Sequence, residues 1–168
     1  GVMAAQVFTA EQAEEIVKGA KFMPRGYRGL NSSGYDGNFG TNPLAEHCRK
    51  ANENSFIAIQ IETARSVEEC EAIAAIDGVD MLFVGPADLS QSLGVTGDFF
   101  HQKCLDAVDR VSAACKKHGK HWGAVVVSPE HCDLFVSKGC KMISPMNDAK
   151  LINLGLQAVK NQYPKLFG

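Results

Sequence analysis

The chain has 168 residues, enough for one ordinary domain that buries its own core without a disulfide or metal staple. Lys plus Arg number 17 and Asp plus Glu 19, a net charge of −2 with no basic run, which excludes the usual nucleic-acid-binding surface. Hydrophobic residues at 45% and charged residues at 21% exclude intrinsic disorder, and apolar runs such as Gly123–Val127 are far too short to cross a bilayer.

Val2–Val7 reads as a short buried strand that starts abruptly, as if the upstream part of a domain preceded it. Thr9 with Gln12 three residues on marks a helix start, and Ala13, Ile16, Val17 and Ala20 share one face of a helix over Ala10–Ala20. Lys21–Pro43 is long, rich in Gly and aromatic residues, and not periodic, which suits a functional or assembly loop. Pro43 opens a helix to about Glu53. Ser55–Glu62 is a second strand. Ser66 and Glu69 suggest a capping box for a helix over Val67–Ile76.

Val79–Val84 is a third strand, ended by Gly85-Pro86-Ala87-Asp88. A short helical turn from Asp88 and a longer helix over Phe99–His118 follow, stopped by Gly119. His121–Val127 is a fourth strand. Ser128 caps a helix with Pro129 at its first position, ending near Gly139. Lys141–Ser144 is a last strand, and Lys150–Gln162 a final helix with Leu151, Leu154, Leu156 and Val159 apolar. Five strand–helix repeats in a single domain, residues 1–168, imply a parallel α/β sheet. Two architectures fit: an open doubly wound sheet, or five of the eight units of a (β/α)8 barrel.

Cys48, Cys70, Cys104, Cys115, Cys132 and Cys140 contain no C-x-x-C pair, so zinc spacing is missing. They read as reduced small hydrophobes, which together with the lack of a basic-then-apolar leader suggests a cytoplasmic protein.

Two carboxylates stand where α/β folds place their chemistry. Glu62 ends the second strand and Asp88 follows the third by three residues, and side chains at C-terminal strand ends collect on one rim. Neighbouring parallel strands lie about 5 Å apart, so the two carboxylates have the opportunity to converge. Hard oxygen ligands suit Mg²⁺ or Mn²⁺. Asp88 with Gln91 equally fits a helix cap, and Glu62 a solvated strand end. Gln60 shares a strand face with Glu62 and needs a partner. The Gly85–Asp88 turn exposes backbone N–H groups of the kind that bind carboxylates. His47, His101, His118 and His131 fall in or near helices and read as surface residues, while His121 starts a strand at the opposite end. No catalytic base is identifiable in the chain.

Gln60-Ile61-Glu62-Thr63, Asp77-Gly78-Val79-Asp80 and Val84-Gly85-Pro86-Ala87-Asp88-Leu89-Ser90 resemble the HpcH/HpaI aldolases, metal-dependent (class II) pyruvate aldolases of the phosphoenolpyruvate/pyruvate barrel superfamily. Pro24–Gly29 and Tyr163–Gly168 fit the same pattern. The resemblance implies a (β/α)8 TIM barrel, of which this chain holds the C-terminal five units. It implies that Glu62 and Asp88 bind Mg²⁺ or Mn²⁺, with Co²⁺ as a further option. It also implies that Gln60 and the backbone of Ala87 and Asp88 hold pyruvate.

The reaction implied is cleavage or formation of 2-keto-3-deoxy or 4-hydroxy-2-oxo acids, to and from pyruvate and an aldehyde. A citramalyl- or malyl-CoA-type lyase, or a fragment that binds metal without turnover, is the alternative. The family's His base and enolate-steadying Arg come from the first half of the barrel and have no counterpart here. Ser144-Pro145-Met146-Asn147-Asp148 is more polar than the family's usual ending. Homo-oligomeric association is expected through the final helix and through Phe22, Tyr27, Tyr35 and Phe39, with a small 2-oxo acid as the only other partner. Two open sheet edges lead us to expect marginal stability, weak metal and pyruvate binding, and cleavage near background for the 168-residue chain alone.

Overall fold

The computed structural model describes residues 1–167. Strands β1 (Val2–Ala4), β2 (Ile57–Ile61), β3 (Met81–Val84), β4 (His121–Val125) and β5 (Met142–Ser144) form one parallel sheet in sequential order. The helices are α1 (Ala10–Ala20), α2 (Leu44–Asn54), α3 (Ala64–Ala75), α4 (Pro86–Ser92), α5 (Gln102–Lys117), α6 (Pro129–Ser137), α7 (Asp148–Gln162) and α8 (Pro164–Phe167). A doubly wound sheet reverses its strand order midway; this one does not. Five consecutive βα units form an arc of barrel wall, open at β1 and β5, which decides between the two architectures the sequence allowed.

The two sheet faces differ accordingly. Ile57, Ile59, Ile61, Leu82, Val84, Trp122 and Ala124 point to one face and pack under Ala13, Val17, Ile73, Val108 and Val111 of α1, α3 and α5. The opposite, concave face holds only a small cluster, Ala58, Met81 and Phe83. By the two-residue period of a strand, Gln60 and Glu62 share the concave face with Ala58.

Element starts follow local chemistry. The Thr9 hydroxyl accepts the Gln12 N–H at 3.3 Å, and α1 spans the residues its periodicity suggests. Thr63, not Ser66, caps α3; Ser66 completes a reciprocal capping box from inside the first turn and is fully buried. β1 ends at Ala4, short of the expected Val7, because Gln6 turns the chain with φ +56°. The long loop is tied down rather than free. Arg25 forks onto Glu14 with two 2.9 Å bonds, Lys21 donates to the carbonyls of Asn52 and Ser55, and Arg28 lies 4.5 Å over the Phe22 ring.

Three expectations about side chains are corrected. His47 and His131 are buried, not on the surface. His47 meets the Phe22 ring at 5.5 Å, and His131 sits among Phe99, Phe100 and Phe135, 4.0 Å from the last. Phe22 is buried within this chain and is not available to a partner, whereas Tyr27, Tyr35 and Phe39 are exposed. All six cysteines are free, and Cys70, Cys104, Cys115 and Cys140 are buried as small hydrophobes. No described helix is long and apolar enough to cross a membrane. The Tyr163–Gly168 segment forms α8 up to Phe167; Gly168 lies outside the described residues.

The burial of His131 has a pH consequence. Desolvation pushes its imidazole below the ordinary 6.5. On acidification the unfolded chain therefore takes up the proton first, and stability falls as pH drops below about 6.5. Carboxylates held low by cationic partners, such as Glu14 beside Arg25, lose their contribution only below 4.5. We expect the unfolding midpoint to drop between pH 7 and 5, and the slope over that window to flatten in His131→Leu. An unchanged slope in the variant would assign the effect elsewhere.

Every residue of α7 is exposed, with Leu151, Ile152, Leu154 and Leu156 each more than half accessible.

Candidate metal and substrate site

β2 and β3 run side by side with Ile61 opposite Val84, so Glu62 stands level with Gly85 on the C-terminal rim. Glu62 is only 4% exposed. Its Oε1 accepts the Gln6 backbone N–H at 2.6 Å and the Gln6 side-chain Nε2–H at 3.2 Å. Its Oε2 faces Gly85: a Cβ built there would stand 2.8 Å from Oε2 and 3.1 Å from the Glu62 Cβ. The glycine is therefore required by the carboxylate and not by its own backbone, whose φ of −97° any residue adopts. Gln60, with its amide nitrogen turned toward the carboxylate, reaches Oε2 at 3.0 Å and Oε1 at 3.3 Å; turned away, the nitrogen meets the Met3 sulfur at 3.4 Å.

Asp88 lies three residues past Gly85, exposed in the first turn of α4. Gly85 is the cap of that helix, so Asp88 is not the N-cap that its spacing to Gln91 also allowed. Pro86 occupies the first helical position, where no N–H is needed. The N–H groups of Ala87 and Asp88 come next, and first-turn donors have no partner within their own helix.

A buried carboxylate normally carries a cationic partner. Among the described residues no Lys, Arg or His forms an ion pair with Glu62, although eight such pairs occur elsewhere in the chain. Oε1 accepts from two Gln6 donors, while Oε2 packs against Gly85 with only the Gln60 amide within reach. These residues fit a hard divalent ion. Among the described residues no group of three or more His, Cys, Asp or Glu comes together, so protein ligands at this rim are at most the two carboxylates.

Residues 1–153 match the family model HpcH/HpaI aldolase/citrate lyase. The chain belongs to the HpcH/HpaI aldolase/citrate lyase family. It is 34% identical over 161 residues to 5-keto-4-deoxy-D-glucarate aldolase of Klebsiella pneumoniae, covering 95% of this chain and 61% of that protein. It is also 34% identical over 160 residues to hydroxypyruvate/pyruvate aldolase of Delftia acidovorans, covering 92% of this chain and 59% of that one. The crystal structure of an HpcH/HpaI aldolase from Desulfitobacterium hafniense superposes with a TM-score of 0.84 at 30% identity, over 96% of this chain and 62% of its own. The chain thus spans about three fifths of the length of the curated relatives it matches.

The sequence singles out Glu62, Gln60, Ala87 and Asp88, and the fold carries them at the adjacent ends of β2 and β3. It does not single out Gln6, the residue that bonds Glu62. The signal is a lone polar residue near the end of the apolar run Val2–Val7, just past the strand that pairs with β2.

Proposed function

We propose that this chain carries the cation- and pyruvate-binding part of an aldolase that cleaves or forms 2-keto-3-deoxy or 4-hydroxy-2-oxo acids. The observation that carries the reading is Glu62: a buried carboxylate without an ionic partner, level with Gly85 and beside the α4 first turn that bears Asp88. Glu62 and Asp88 would hold Mg²⁺, Mn²⁺ or Co²⁺. When bound, the cation supplies Lewis-acid stabilisation of the negative charge that develops on the 2-oxo oxygen.

The chain's own groups do the rest of the binding. The Ala87 and Asp88 N–H groups donate to the pyruvate carboxylate, favoured by the positive end of α4. Gln60 orients the pyruvate from the concave face. The buried rim around Glu62 keeps competing water from its oxygens and strengthens every electrostatic contact there. No residue of this chain is assigned the proton transfer on the aldehyde side.

The test is pyruvate release from a 4-hydroxy-2-oxo acid by the complete barrel, coupled to lactate dehydrogenase. We expect release to stop with EDTA and return with Mn²⁺ or Mg²⁺. Turnover that persists in EDTA, or that needs an acyl-CoA substrate, would contradict the reading.

We also propose that the protein is a homo-oligomer joined through α7 and the exposed Tyr27, Tyr35 and Phe39. Light scattering should give a mass of at least two chains, and Leu151→Glu with Leu154→Glu should lower it. A clean monomer in the parent protein would contradict this.

A further inference from the structure

We propose that Gln6 is a positioning residue for the cation site: it pins Oε1 of Glu62 and so presents Oε2 as the oxygen available to a divalent ion. The inference rests on the metal reading of Glu62 given above. Gln6 stands at the turn out of β1, across from the end of β2, and brings two donors to one oxygen, its backbone N–H at 2.6 Å and its Nε2–H at 3.2 Å. Charge-assisted bonds of that length are the stronger class.

The backbone of Gln6 is left-handed, with φ +56°, a conformation that disfavours residues with a Cβ. Such a residue persists where its surroundings hold it, and here the holding contact is the carboxylate itself. The Gln6 side chain is exposed yet bends back onto a buried acceptor instead of extending into water.

The two oxygens of Glu62 are therefore unlike. Oε1 is saturated by Gln6. Oε2 packs close against Gly85, an approach that only a residue without a Cβ permits. Gln60 is the other donor within reach of Oε2, and its amide has a second contact at Met3 Sδ, so it yields Oε2 without losing all company. A carboxylate held by both Gln6 donors at one oxygen, and at the other by Gln60 alone, offers a single preferred ligand atom in one place. This is the arrangement by which outer hydrogen bonds orient a metal ligand.

The test is Mn²⁺ affinity of the 168-residue chain, read from the electron paramagnetic resonance signal of free Mn²⁺. Gln6→Leu removes the side-chain donor and keeps the backbone N–H. Gln6→Asn tolerates the left-handed backbone but is one methylene short of Oε1. We expect the Mn²⁺ Kd to rise about 10-fold in each, with the metal-free unfolding midpoint of the Asn variant unchanged. A merely structural role would move the midpoint and leave the Kd of the folded protein as it was. Should Gln6→Leu fail to fold, Gln6→Asn decides alone. Unchanged affinity in the Gln6 variants, with binding lost in Glu62→Gln, overturns the role of Gln6 and leaves the metal site standing. Unchanged affinity in Glu62→Gln overturns the metal reading and this inference with it.

Discussion

Asp88→Asn and Glu62→Gln in the complete barrel should each lower cation-dependent cleavage by about 10³-fold. Loss of a charged ligand removes several kcal/mol of transition-state stabilisation, and about 4 kcal/mol corresponds to that factor. The two variants should differ in stability. Asp88 is exposed, so its replacement leaves the unfolding midpoint where it was. Glu62 is a buried charge without an ionic partner, and Gln keeps an oxygen for the Gln6 donors while removing the charge. The metal-free midpoint of Glu62→Gln should therefore equal or exceed that of the parent, as expected where a site is maintained at the expense of stability. Turnover within tenfold of the parent in Asp88→Asn would reduce Asp88 to a first-turn residue with no ligand role.

Gly85→Ala should cost about 10²-fold in the same activity, the order that follows from misplacing a site group by about 1 Å. The added methyl would stand 2.8 Å from Glu62 Oε2, closer than such atoms pack, and 3.1 Å from the Glu62 Cβ, tighter than most contacts, so the side chain must shift. The carboxylate has little freedom to move aside, because Gln6 holds its other oxygen. Backbone strain does not enter, since φ is −97° and alanine adopts it freely. The loss should thus appear as weakened Mn²⁺ affinity with a fold of ordinary stability, read by calorimetry on one preparation. Unaltered affinity would mean that ion binding does not depend on the position of Oε2 against Gly85.

Element order was legible because each strand is a short apolar run bounded by turn chemistry, and α1 because Thr9 caps it from one side. Ser66 misled because a Ser at the third helical position joins the same reciprocal bond as the true cap, Thr63. Gln6 misled because an apolar run carries no mark of where its backbone turns left-handed. The burial of His47 and His131 is not legible because imidazole is intermediate in polarity and its burial depends on ring partners, Phe22 for one and Phe99 and Phe100 for the other, that are distant in sequence, besides Phe135 one turn on in the same helix. The placement of Glu62 beside Gly85 is legible from strand order alone, since parallel strands fix which ends meet. Which oxygen of Glu62 is held, and by what, required coordinates.

The most direct measurement is isothermal titration of pyruvate into the 168-residue chain, with Mn²⁺ present or with EDTA, for the parent, Glu62→Gln and Asp88→Asn. Binding by the parent only when Mn²⁺ is present, and by neither variant, is the expected result. Pyruvate binding that is indifferent to EDTA, or retained in both variants, would contradict a cation held by Glu62 and Asp88.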